Sequence, residues 1–154
     1  MDEIFKALVE DIHPVFERLL AMQPVIEPPL DMPMRGVYLF SENGAHLYVG
    51  RSNSIRKRYK QHTNLGSTHN QASFAYKLAS EKCKMPHPTY KKGDGKADRL
   101  KMHPDLAAEF IEAKHRVRLM DYRYVEEVVP MRQSMLEAYA CIVLETPYND
   151  FDTH

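Results

Sequence analysis

The sequence predicts a small domain of the broad α/β type, more narrowly α+β, in which a short sheet is packed among helices. Three observations carry that expectation. Two β-prone runs flank Asn43-Gly44, a dipeptide that tolerates positive φ in a tight turn. Apolar residues recur at steps of three and four both before and after that hairpin. The 154 residues suffice to bury one core, and no apolar run approaches the roughly 18 residues that a membrane helix needs.

Residues 2–22 read as a helix, because Ile4, Leu8, Ile12, Phe16 and Leu19/Leu20 fall on one stripe. Pro14 lacks a backbone donor, so it should kink this helix or start a second one. Pro24, Pro28, Pro29 and Pro33 then exclude regular structure, leaving a linker or an extended arm packed on the main domain. Arg35–Phe40 and His46–Gly50 are the two strands of the hairpin. A helix begins near Asn53 or Ser54, either of which can cap it, with Ile55, Tyr59 and His62 on one face and Arg58 beside it. Residues 70–83 suggest a further helix, stopped by Pro86 and Pro88. Residues 86–103 are polar, basic and centred on Gly93-Asp94-Gly95, and read as a flexible loop. Pro104 opens a short helix through about Lys114 that buries Leu106, Phe110 and Ile111. Residues 116–125 alternate like a strand, and a last helix runs from about Met131 to Glu145 before Pro147. Met32, Met34, Met131 and Met135 read as gap-filling residues.

Net charge is zero, but its distribution is uneven. Residues 1–50 carry 3 Lys/Arg against 8 Asp/Glu, residues 51–101 carry 13 against 3, and residues 102–154 carry 5 against 10. A basic segment between acidic ones is a candidate phosphate-binding surface, although Lys91, Lys92, Lys96 and Lys101 would equally suit a solvated loop. The N-terminus is acidic and no basic stretch precedes an apolar one, which argues against a secretory signal. Cys83 and Cys141 are far apart, as free thiols in a reducing compartment would be. A cytoplasmic protein with no membrane partner is the expectation.

A sparser pattern runs through these elements. Gly36-Val37-Tyr38 lies on the first strand and Tyr48-Val49-Gly50 on the second. Arg58 follows Gly50 by eight residues, His62 follows Arg58 by four, and Glu137 and Asn149 come later. Either triplet alone would mean nothing. In this order and on these elements, the set resembles the GIY-YIG endonucleases, metal-dependent enzymes that hydrolyse DNA phosphodiesters. The resemblance spans about residues 35–150. It implies the GIY-YIG nuclease fold, a three-stranded antiparallel sheet flanked by helices. Residues 1–33 would be an N-terminal helix and Pro-rich linker, and residues 34–154 the nuclease domain, with a basic helical and loop insertion at about 63–115.

Phosphodiester hydrolysis needs an aimed, deprotonated water, offset charge on the phosphoryl oxygens and a stabilised leaving oxygen. By resemblance, Glu137 holds one divalent ion, Mg²⁺ with Mn²⁺ able to substitute, and hard oxygen ligands suit both. Arg58 clamps phosphate, which its bidentate and permanently charged guanidinium favours. Arg51, Lys57, Lys91 and Lys92 are further substrate contacts. Tyr38 is the general-base candidate and Tyr48 positions water or phosphate. A free phenol, with a pKa of about 10, needs nearby cations to act at neutral pH. His62 is the other candidate for the base, since imidazole titrates near neutrality. Read from the strand pattern alone, both tyrosines are packing residues, and a lone His62 at a helix end is a cap. Gly36 and Gly50 suit a close backbone approach or positive φ, and Asn149 suits a tie between the C-terminal segment and the backbone near the site.

The expected partner is therefore DNA. Specificity would come from the basic segment 63–103, a partner chain or the N-terminal arm. One alternative is a non-catalytic nucleic-acid-binding module, against which the intact set of Tyr38, Tyr48, Arg58, His62 and Glu137 argues. Another is a partner-dependent nuclease subunit that docks or self-associates through residues 2–22.

Overall fold

The computed structural model describes residues 1–89 and 91–151. Tyr90, inside the expected loop, and residues 152–154, at the expected domain end, lie outside the described residues. The architecture is α+β: the described residues form six helices and one three-stranded antiparallel sheet. The chain divides into two compact units. The first joins residues 1–58 to the chain from Met120 onward, and the second is Tyr59–Leu119. The N-terminal helix thus falls in the unit that holds the sheet, and the second unit begins inside a helix.

In the first unit, α1 (Glu3–Ala21) precedes the hairpin of β1 (Gly36–Glu42) and β2 (Ala45–Ser52). The turn is made by Asn43 and Gly44 at φ of 51° and 80°, the left-handed values that a two-residue hairpin demands. β3 (Asp121–Glu126) pairs with the other edge of β1, giving the order β2-β1-β3. Tyr38 lies opposite Gly50 on one side and Tyr124 on the other. Alternation separates the sheet's two faces. Val37, Leu39, Val49 and Val125 join Ile12, Val15, Phe16 and Leu19 of α1 and Leu136, Ala140 and Cys141 of α6 (Pro130–Leu144) in one core. The opposite face is aromatic, with Tyr38, Phe40, Tyr122 and Tyr124 stacked along it.

The Pro-rich segment is an extended arm and not a free linker. Val25 exchanges backbone hydrogen bonds of 2.9 and 2.8 Å with Tyr122. Arg123 Nε donates to the Met22 carbonyl at 3.0 Å, and Arg56 Nη1 donates to the Pro29 carbonyl at 2.6 Å. The arm thereby covers part of the outer edge of β3, which would otherwise offer open backbone groups.

Pro14 neither ends α1 nor starts a second helix, because α1 is assigned without a break through it. Asp2 caps that helix by accepting from the amides of Ile4 and Phe5 at 3.0 and 3.1 Å. The expected stripe is buried only from its middle onward, and Ile4 is 81 % exposed. Met34 and Met131 are also exposed and fill no gap, whereas Met135 packs on the core.

In the second unit, α3 (Ser73–Lys82) packs on α5 (Pro104–Arg118), and α4 (Lys96–Met102) stands between them in sequence. α2 (Ile55–Thr63) bridges the two units in sequence. The second unit differs from expectation at two places. Residues 86–103 are not a wholly flexible loop, because α4 occupies their second half. Arg99, buried on α4, grips Asp94 at 2.8 Å and donates to the carbonyls of Pro86 and His87. Asp94 in turn accepts from the amide and hydroxyl of Thr89. The strand expected from residue 116 begins only at Asp121. Leu106, Phe110, Ala113 and Val117 are all buried at steps of four, three and four, so the helical period extends through Arg118 and overrides the local alternation. Ile111 lies off that stripe and is exposed. Lys114 is buried on α5, where its Nζ donates to the carbonyls of Leu65 and Ser67 at 2.7 Å each. Among the described residues, no helix is long and apolar enough to cross a membrane.

Candidate active site

The two signature glycines owe their identity to crowding. A Cβ on Gly36 would run into the Val125 carbonyl of β3. A Cβ on Gly50 would run into the phenol end of Tyr38. Neither has positive φ, so of the two reasons suggested by the sequence, close approach applies.

Tyr38 is buried, with its ring 6.5 Å from that of Tyr48 and 5.7 Å from that of Tyr122. Arg58 hydrogen-bonds its hydroxyl from α2. Burial is the largest influence on the phenol and pushes it well above its ordinary range; the charge of Tyr48 adds to this, and Arg58 opposes it. The charge of Glu137 also bears on Tyr38, which places the carboxylate in the same neighbourhood. Tyr48 is half-buried on β2.

Glu137 projects from α6 and pairs with Arg51, whose Nε donates to Oε2 at 3.1 Å. Burial raises its carboxyl above the usual range, and the Arg51 guanidinium pulls the other way. Arg51, expected to touch substrate, thus already holds the proposed metal ligand. Among the described residues, no group of three or more His, Cys, Asp or Glu side chains gathers as a metal cluster.

Asn149 fastens the outer edge of β2. Its Nδ2 donates to the Val49 carbonyl at 2.7 Å and its Oδ1 accepts from the Val49 amide at 2.9 Å, as a neighbouring strand would. Tyr148 adds a backbone bond to Leu47 at 3.3 Å. This tie holds the Tyr48-Val49-Gly50 triplet in place.

His62 is fully buried on α2, one turn past Arg58. Lys57 is exposed on the same helix. Lys91 and Lys92 are exposed and belong to the second unit. The structure therefore brings Tyr38, Tyr48, Arg58, Arg51 and Glu137 together in the first unit, and places the two lysines on the other.

Gln133 has no place in the sequence pattern. It is buried one turn before Glu137, and its Nε2 donates to the Glu127 carbonyl at 2.6 Å, anchoring the start of α6. Its one signal in the sequence is a polar residue on the stripe that continues through Leu136 and Ala140. A scan against protein-family models, and searches of curated proteins and of solved structures, each returned no match.

Proposed function

We propose that this chain is an endonuclease of the GIY-YIG type, hydrolysing DNA phosphodiesters with a divalent metal ion. The observation that carries the reading is the convergence of a buried phenol, a guanidinium bonded to it and a half-buried carboxylate around two glycines required by crowding. An ordinary packing face has no need to bring a buried tyrosine, an arginine and a carboxylate together.

A single carboxylate fits Mg²⁺ or Mn²⁺ of this kind, because such ions keep several waters and take one or two protein carboxylates beside the substrate phosphate. Glu137 would hold the ion; when bound, it supplies Lewis-acid stabilisation of the phosphate and the leaving oxygen. Arg58 has five N–H donors, so it can keep its bond to Tyr38 and still clamp a phosphate oxygen. Tyr48, beside Tyr38, orients the attacking water. Tyr38 is the proposed acceptor of the water's proton. Because burial keeps it protonated even against the pull of Arg58, that role depends on further positive charge, which the divalent ion would supply. His62 is the second candidate for the same proton. Lys57, Lys91 and Lys92 supply backbone contacts to a long polyanion.

A partner contact through α1 has its own support. Ile4 and Phe5 are 81 % and 51 % exposed while the rest of the stripe is packed, so the helix's first turn offers apolar surface. The decisive experiment incubates the purified chain with supercoiled plasmid, single-stranded DNA and branched DNA, in Mg²⁺ or in EDTA, beside Glu137→Ala. Nicking or cutting that needs both Mg²⁺ and Glu137 supports the reading. Equal activity in EDTA, or none on any substrate, overturns it.

A further inference from the structure

Arg51 and Glu137 are placed oddly for a pair that only adds stability. Their side chains are 45 % and 25 % exposed, and a pair so wetted contributes little to folding. Yet the guanidinium pulls against the burial that raises this carboxyl. It sits on the side chain proposed to hold the metal. Arg51 directly follows Gly50 and lies opposite Val37 in the β1–β2 ladder, so its backbone is fixed. Its long side chain is half in solvent.

We infer that Arg51 is a resident counter-ion that a divalent cation must displace from Glu137, and that the displaced guanidinium then binds substrate phosphate. The inference rests on the metal-dependent nuclease reading and adds a coupling within that site. A guanidinium Nε 3.1 Å from the carboxylate puts a positive charge where a divalent cation would also have to come. The two repel, so one carboxylate does not hold both tightly. A site with a single protein carboxylate binds its ion weakly, and a competing cation therefore decides its occupancy. A phosphate offers Arg51 a bidentate alternative to Glu137. DNA would draw Arg51 away and raise metal affinity, and by linkage the metal raises DNA affinity in the same proportion. The site would thus fill with metal chiefly when DNA is present.

The test measures Mn²⁺ binding to the whole chain without DNA, from the loss of the free-ion electron paramagnetic resonance signal. Removing the competing charge in Arg51→Gln should tighten Mn²⁺ by roughly tenfold or more. Arg51→Lys, which keeps the charge, should stay within about twofold of the parent, and Glu137→Gln should abolish site binding. A second arm follows a fluorescent duplex by anisotropy at several salt concentrations. In EDTA, Arg51→Gln should leave the slope of log K against log[salt] unchanged, because Arg51 is engaged with Glu137. In Ca²⁺ it should lower that slope by about one unit, the equivalent of one phosphate. If Glu137→Gln abolishes Mn²⁺ binding but Arg51→Gln leaves it at the parental affinity, the counter-ion role is overturned and the metal site stands. Mn²⁺ binding that ignores Glu137→Gln overturns both.

Discussion

The phenol end of Tyr38 rests directly over the Cα of Gly50, its cross-strand partner, so that no side chain at position 50 leaves the hydroxyl where it is. The same sheet holds a second such approach, between Gly36 and the Val125 carbonyl. Gly50→Ala should therefore cost about 1–3 kcal/mol, the usual range for overpacking. The entropy gained by replacing glycine, about 0.4–1 kcal/mol, is too small to offset it. Gly36→Ala should cost at least as much as the upper end of that range, because a strand backbone yields less readily than a ring. Urea unfolding of both variants measures the order. A Gly36→Ala protein as stable as the parent would mean that β3 leaves room for a Cβ beside β1 in solution.

Glu137→Ala should abolish cleavage while leaving the fold and DNA binding largely intact. The substitution removes the proposed anchor of the ion and no phosphate contact. Burial already disfavours the charged carboxyl, so its loss should not lower the melting temperature appreciably. Cleavage in Mg²⁺ at the parental rate, with the fold checked by circular dichroism, would show that the ion is held elsewhere or is not needed.

Tyr38→Phe keeps the ring and its stacking but deletes the hydroxyl. If Tyr38 takes the water's proton, turnover should fall by roughly a hundredfold or more. His62→Ala beside it assigns the base. A larger loss there, with an ionisation near neutrality gone from the pH–rate profile, would give the role to the histidine. Tyr38 also predicts a pH effect on stability. Its folded phenol is raised, so above pH ~10 the unfolded chain loses a proton that the folded chain keeps. Stability should fall as pH rises through that window, and fall less in Tyr38→Phe.

Much of this arrangement is legible from residue types. The Asn43-Gly44 turn, the hairpin it closes and the extended arm follow from local φ preferences and from proline's missing donor. The boundary between α5 and β3 is not legible in the same way, because Arg116–Leu119 alternates locally like a strand, whereas Val117 answers to a helical stripe that starts at Leu106. Tertiary period overrides local pattern. Residues 86–103 read as loop because Gly93-Asp94-Gly95 hides the buried Arg99, whose partners lie up to thirteen residues back. At the site, the glycines, Tyr38, Arg58 and Glu137 stand out from sequence. The Arg51–Glu137 pair does not, since it joins residues 86 positions apart.

The Arg99–Asp94–Thr89 cluster should make the second unit sensitive to acid. Hydrogen bonds from Thr89 and Arg99 hold the Asp94 carboxyl down to about 2, against an ordinary value of 3.8. A lowered folded value contributes stability that is present above about pH 4 and lost as pH falls toward 2. Asp94→Asn should remove that part of the pH dependence. It should also speed protease cleavage near residues 86–95 at neutral pH. Equal cleavage rates in the two proteins would show that the cluster does not order the loop.

The exposed lysines of that loop give the last prediction. Residues 51–101 hold 13 of the chain's 21 cations, so DNA affinity should fall steeply with salt as counterions return to the duplex. Lys91 and Lys92 are exposed, and each is proposed to meet a phosphate. Reversing both to glutamate should lower the slope of log K against log[salt] by roughly one unit for each phosphate no longer neutralised. Arg58→Ala should behave differently. Its guanidinium is bonded to Tyr38 at the proposed reacting centre, so its loss should reduce turnover more than affinity. Anisotropy titrations at several salt concentrations, beside single-turnover cleavage, separate the two. An unchanged slope after both lysine reversals would move the DNA-binding surface away from this loop, and a parental slope combined with lost cleavage in Arg58→Ala would keep Arg58 at the centre of the reaction.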